Sequence, residues 1–246
     1  MIAVRNRALA ALLAVAPAAA LLAGSPAQAA DPAIVIKSAS VSRDTVVLSS
    51  KAGCTNVTFT AVLSAPIPDG SPAPSGIRVD LEGPTPRDDH LRGKDLTRVG
   101  STTTYRATVP LCGSDHSGRY LAIVSGGVYT GPGQATYIDP AFFDISILRP
   151  SKLTLNASPE PVRKGQKITA KGVLKVNGKT YAKATVKVWF KATGATTWTY
   201  RGAATTNSKG YYSKRFTATR SGVWKAVYEG DWKRNAAVAG DAVKVR

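Results

Sequence analysis

Apolar side chains recur at every second position along most of this chain, and that period constrains the fold more than any motif. Val57, Phe59, Ala61 and Leu63 make one row, and Ile77, Val79 and Leu81 alternate with Arg78, Asp80 and Glu82. Tyr105, Ala107 and Val109 alternate with Arg106 and Thr108, and Phe143, Ile145 and Ile147 with Asp144 and Ser146. Further on, Ala184, Val186, Val188 and Phe190 share one face, with Lys183, Thr185, Lys187 and Lys191 on the other. Successive side chains of a strand point to opposite faces, so each row is the inner face of a half-buried strand. Nothing after residue 29 sustains the 3.6-residue period of a helix. Short strands at this density, bounded by Gly and Pro turns, predict an all-β chain of antiparallel two-sheet sandwiches.

The first segment reads as an address. Arg5 and Arg7 precede an apolar run from Ala8 to Leu22, and Ala27-Gln28-Ala29 has the small-x-small form of a cleavage site. The run is 15 residues long, short of the roughly 20 that cross a bilayer. Residues 1–29 are therefore expected to be a cleaved signal peptide and the mature protein to be secreted, with no transmembrane anchor after cleavage.

Charge divides the remainder. The whole chain carries 33 Lys+Arg against 15 Asp+Glu, a net +18. Residues 30–149 hold 11 of each sign, whereas residues 150–246 hold 20 bases and 4 acids, a net +16. The break at Arg149-Pro150-Ser151 predicts a neutral domain over 30–149 and a strongly basic one over 150–246, joined by a short linker.

The two halves echo one another. Ser117-Gly118-Arg119-Tyr120-Leu121-Ala122 matches Ser221-Gly222-Val223-Trp224-Lys225-Ala226, which predicts one turn entering the same penultimate strand of two related sandwiches. The later half also carries Ala184-Thr185-Val186-Lys187-Val188, Thr197-Trp198-Thr199, Thr206-Asn207-Ser208-Lys209-Gly210-Tyr211-Tyr212 and Tyr228-Glu229-Gly230-Asp231. In that order and spacing, residues 152–246 resemble the bacterial Ig-like domains of secreted actinobacterial proteins. The resemblance implies two consecutive Ig-like antiparallel β-sandwich domains, the N-terminal one Ig-like in outline only. It implies a spacer, stalk or adhesion unit without catalytic residues, and core positions for Trp198 and Trp224. Trp232-Lys233-Arg234 stands where such domains carry small or polar residues.

Export into an oxidising compartment predicts a Cys54–Cys112 disulfide that pins an edge or loop rather than crossing the core. Catalytic signals are poor. Gly113-Ser114-Asp115-His116 places Ser, Asp and His side by side, whereas a hydrolase needs them to converge from separate segments, so the stretch reads as a polar turn and no enzyme is expected. Asp88 and Asp89, with Asp95, form the densest acidic cluster and are the weak calcium candidates. Arg87, Arg92 and Lys94 offset their charge, so no cofactor is expected beyond that calcium.

Lysines carry the main binding signal. Arg163, Lys167, Lys171, Lys175, Lys179, Lys183, Lys187 and Lys191 recur every fourth residue, an even period that keeps side chains of one strand on one face. Strands in different sheets would instead wrap the charge around the domain. Lys167, Lys171, Lys175, Lys183, Lys187, Lys191, Lys233 and Arg234 are the candidate polyanion contacts, with Trp189 and Trp232 as aromatic contacts. The expected partner is an anionic cell-wall polymer or another extracellular polyanion, leaving the protein cell-wall associated. The alternative is a glycan or protein partner met through loops and exposed Trp. Nucleic acid is not expected as the physiological target, because stacking aromatics are not interleaved with the basic residues.

Overall fold

The strand rows build four sheets. The computed structural model describes residues 33–84 and 93–246; residues 1–29, read above as a signal peptide, and the calcium candidates Asp88 and Asp89 lie outside them. In chain order the strands are β1 (Ile36–Val41), β2 (Thr45–Val47), β3 (Cys54–Leu63), β4 (Gly76–Glu82), β5 (Lys94–Asp95), β6 (Thr97–Arg98), β7 (Thr104–Cys112), β8 (Gly118–Gly131) and β9 (Gln134–Leu148). They continue as β10 (Ser151–Leu153), β11 (Asn156–Ser158), β12 (Lys167–Val176), β13 (Lys179–Thr180), β14 (Thr185–Ala192), β15 (Thr199–Thr205), β16 (Tyr211–Thr217), β17 (Gly222–Tyr228) and β18 (Ala237–Val243). Among the described residues there is no helix.

The first sandwich packs β1-β3-β7-β6 against β2-β9-β8-β4-β5. Its core is the set of rows read from the sequence: Val57, Phe59, Ala61 and Leu63 meet Ile77, Val79, Leu81, Ile145 and Ile147, all buried. In the second, β12 pairs with β10 and β11 along one side and with β13 and β16 along the other, and the facing sheet runs β15-β14-β17-β18. Ile168, Ala170, Val188, Phe216 and Trp224 form one part of this core, and Leu174, Val186, Tyr212 and Ala226 another.

The two sandwiches share a plan. The order β9-β8-β4-β5 in one corresponds to β18-β17-β14-β15 in the other. In both, the leading segment leaves its antiparallel partner and runs parallel to the last strand, as β2 along β9 and as the Val162–Val245 bridge. Gly118 and Gly222 each open the penultimate strand, with Tyr120 and Trp224 buried two residues on. The fold is therefore all-β, two consecutive Ig-like antiparallel sandwiches.

Cys54 and Cys112 are disulfide-bonded and directly opposite one another in the β3–β7 ladder. The bond stays within one sheet and clamps the end of its two central strands, leaving the core to apolar packing.

Arg149 and Pro150 are the only residues between β9 and β10. The Arg149 guanidinium donates to the carbonyls of Leu48, at 3.0 Å, and Asp115, while its own backbone N–H donates to Lys233 O at 2.8 Å. Asn235 completes the splice, donating its N–H to Arg149 O and accepting Ser151 N–H on its side chain. Gly118 sits at the same junction: a Cβ there would fall 2.8 Å from Pro84 and 3.2 Å from the Trp232 ring.

Candidate functional site

The series of basic residues at every fourth position divides between the two sheets of the second sandwich. Lys167, Lys171 and Lys175 stand exposed on the outer face of β12, whereas Lys183 precedes β14 and Lys187 and Lys191 lie on its outer face. β12 and β14 belong to facing sheets, so the lysines wrap the sandwich.

The β12 face gains two cations from strands remote in sequence. Lys152 stands opposite Lys175, and Arg215 opposite Thr169, midway between Lys167 and Lys171. Asn156, Ser158 and Ser213 fill neighbouring outward positions with neutral polar groups. The four acids of this half are elsewhere. Glu229 pairs with Lys187 at 2.6 Å, Asp231 with Arg234 at 2.5 Å, and Asp241 accepts the Ala157 N–H at 2.7 Å. Glu160 lies close enough to Asp241 that desolvation, and secondarily the Asp241 charge, raises its carboxyl above the ordinary value. Among the described residues no carboxylate pairs with Lys171, Lys175 or Arg215. Like charges directly opposite, as in Lys152 and Lys175, destabilise a ladder, so this face holds cations at a cost to folding.

The opposite face is aromatic. A bulge between Val188 and Trp189 in the β14–β15 ladder sets Trp189 opposite Tyr200 instead of Arg201. Their rings meet edge to face at 5.1 Å. The Lys225 ammonium lies 5.8 Å from the Trp189 ring and 4.1 Å from that of Trp198, and the Lys191 ammonium 5.1 Å from Trp198. Cation–π attraction holds both ammonium groups beside the rings.

This arrangement corrects one expectation. Trp224 is a core residue, 3% exposed and stacked between Phe190 and Phe216. Trp198 is not. It is half-buried, on the loop before β15, and its ring meets lysines on the outer face rather than the core. The sequence signal for the cluster is Trp198-Thr199-Tyr200, two aromatics at strand spacing, whereas the bulge that aligns Tyr200 with Trp189 has no local signature.

Trp232 is 48% exposed, with the Lys233 ammonium 4.1 Å above its ring, and it abuts Gly118 at the junction. Arg234 stacks on Tyr181 at 4.5 Å and is ion-paired to Asp231, so both of these basic candidates are held by local partners.

In the neutral sandwich, Asp115 bonds the Cys112 N–H at 2.7 Å, the geometry of a turn. Asp95 is exposed on β5 and, among the described residues, no group of three His, Cys, Asp or Glu side chains could hold a metal ion. A cleft of about 870 Å³ opens between Ser75, Gly76, Gly126, Tyr129 and Tyr137, with Arg78 and Asp95 as its charged lining. Among the described residues no helix is long and apolar enough to cross a membrane.

No protein-family model and no curated protein matches the chain. Solved structures match the chain at low identity and low TM-score. E. coli alpha-2-macroglobulin is 15% identical over 90% of this chain, with a TM-score of 0.36, and the chain spans 14% of its length. The D0-D1 domain of intimin is 14% identical, with 83% of this chain and 97% of that one covered and a TM-score of 0.27. The fibronectin(III)-like modules of Clostridium thermocellum CbhA are 12% identical, with 85% and 93% covered and a TM-score of 0.33. None of these likenesses assigns a family or an activity.

Proposed function

We propose that this is a secreted, non-enzymatic binding protein whose basic sandwich holds an anionic cell-envelope polymer on the outer face of β12. The observation that carries the reading is Lys152, Lys167, Lys171, Lys175 and Arg215 on one sheet face that bears no carboxylate among the described residues. Five cations with no compensating charge concentrate polyanions, and the lysine spacing of four residues, ~13 Å along a strand, suits an extended polymer rather than a small ion. Support for an extracellular setting comes from the Cys54–Cys112 bond, since such bonds persist in oxidising compartments. The neutral sandwich serves as the structural partner of the basic one.

Sedimentation with purified teichoic-acid-bearing cell wall tests the reading. Binding is expected at physiological salt, to be abolished at about 1 M salt, where screening reaches within ~3 Å. The combined substitutions Lys167→Gln, Lys171→Gln and Lys175→Gln are expected to weaken it at least about tenfold. Retention at high salt, or full binding by the triple variant, overturns the proposal.

A further inference from the structure

The second sandwich has two water-facing sheet surfaces of different chemistry, and the one opposite β12 is not accounted for by polyanion binding. It gathers Trp189, Trp198 and Tyr200 outside the core, although the inner face of the same sheet already buries Val186, Val188 and Trp224. Tyr200 is 50% exposed. Large aromatics collected on the solvent side of a sheet add little to folding, and exposed apolar patches mark interaction sites.

The surroundings describe the ligand. Ala203, Gly240 and Ala242 occupy outward positions opposite Lys187, Lys225 and Val223, so small residues alternate with longer ones beside the rings, and Val223 and Val238 add exposed apolar surface to the same face. A chain of flat units can lie across it. Lys191 and Lys225 present positive charge at the rings; of the carboxylates near this sheet, Glu229 is taken by Lys187 and Asp241 accepts the Ala157 N–H. Rings that stack on apolar sugar faces, next to ammonium groups held in place, complement sugar rings that bear carboxylates.

We infer that the outer face of β14, β15 and β17 is a second binding surface, which takes an acidic polysaccharide through Trp189 and Tyr200, with Lys191 and Lys225 meeting its carboxylates. The surface is separate from that of β12, so the protein has a distinct site on each side of one sandwich and can bridge two polymers.

Two probes distinguish the faces: polygalacturonate for the aromatic one and inorganic polyphosphate for the β12 one, with tryptophan fluorescence and calorimetry on the mature chain as readouts. Polygalacturonate is expected to change the fluorescence and neutral dextran to leave it unchanged. Trp189→Leu with Tyr200→Ser, which keeps an apolar group at the half-buried position, is expected to weaken polygalacturonate binding at least about tenfold, as is Lys191→Gln with Lys225→Gln. Neither pair should alter polyphosphate binding, which also reports that each variant is folded. The Lys167, Lys171 and Lys175 triple variant should keep the fluorescence change that polygalacturonate produces at the aromatic face. Unchanged affinity in the aromatic variant, equal binding of dextran, or loss of the fluorescence change in the triple variant each overturns the inference. Failure of the parent protein to bind polyphosphate counts against the β12 reading and leaves this one standing.

Discussion

The side chain of Asn177, in the second sandwich, is bonded to Ser49 of the first: its Oδ1 accepts from the Ser49 hydroxyl at 3.0 Å. The same oxygen accepts the Ser50 N–H at 2.9 Å, and the Asn177 amide donates to Ser50 Oγ at 2.6 Å. Asn177 reaches that position because it opens the two-residue Asn-Gly turn between β12 and β13, with φ +51 followed by φ +80 at Gly178. Such turns require left-handed backbone, which Asn and Gly tolerate. Together with Arg149, the turn fastens the sandwiches at two separate points.

Asn177→Gly keeps the turn backbone and deletes the three side-chain bonds. The expected result is faster amide exchange at Ser50, a wider spread of inter-sandwich geometry in small-angle scattering, and a loss of about 1–3 kcal/mol. Ser50 exchange equal to that of the parent protein would refute the fastening role.

Removing the disulfide is expected to act on the first sandwich. Cys54 and Cys112 are 58 residues apart in sequence, and closing a loop of that size stabilises by up to ~4 kcal/mol in the chain-entropy model. Cys54→Ala with Cys112→Ala should therefore lower the midpoint of the transition that exposes the β3–β7 ladder. Exchange protection of β12 and β14 should stay near the parent level until that midpoint is reached.

Two tryptophans give opposite expectations. Trp224 is buried between Phe190 and Phe216, so Trp224→Ala should cost about 3–5 kcal/mol in denaturant unfolding. Trp232 is half exposed and touches the Gly118 edge of the first sandwich. Its replacement by Ala should cost about 1 kcal/mol or less, and a cost equal to that at Trp224 would mean that the junction contact is far larger than its geometry implies.

Alkaline pH should unfold the second sandwich through two tyrosines. Burial, then the Asp231 charge, pushes the Tyr228 hydroxyl up from 10.0 to about 12, and burial raises Tyr212 as well, its hydroxyl donating to Thr154 O at 2.6 Å. Because the folded state holds these protons more tightly than the unfolded chain, the contribution is complete below pH 10.0 and declines as pH rises through about 12 at Tyr228. Urea unfolding at several alkaline pH values is expected to show stability falling across that window. Tyr228→Phe should make the fall shallower; an unchanged slope would remove Tyr228 from the account.

The inner rows were legible because alternation is a property of single strands: Val57 to Leu63, Ile77 to Leu81 and Ala184 to Val188 all point into cores. The Cys54–Cys112 bond avoids the core as expected, but it joins the two central strands of one sheet rather than an edge or loop, because strand order is not a local property. Trp198 misled because a loop residue's neighbours depend on how the loop folds back, here over Lys191 and Lys225.

What the sequence determined by itself was the strand content, the inward side chains and the confinement of the excess charge to residues 150–246. Which lysines share a surface was decided only by the tertiary structure. The four residues between Thr180 and Thr185 carry the chain from one sheet to the other, dividing Lys167, Lys171 and Lys175 from Lys187 and Lys191. Long-range pairing then adds Lys152 and Arg215 to the first group and Tyr200 and Lys225 to the second. A period-two pattern specifies the two faces of a strand, but sheet membership depends on hydrogen bonds between segments tens of residues apart, and no local spacing encodes them.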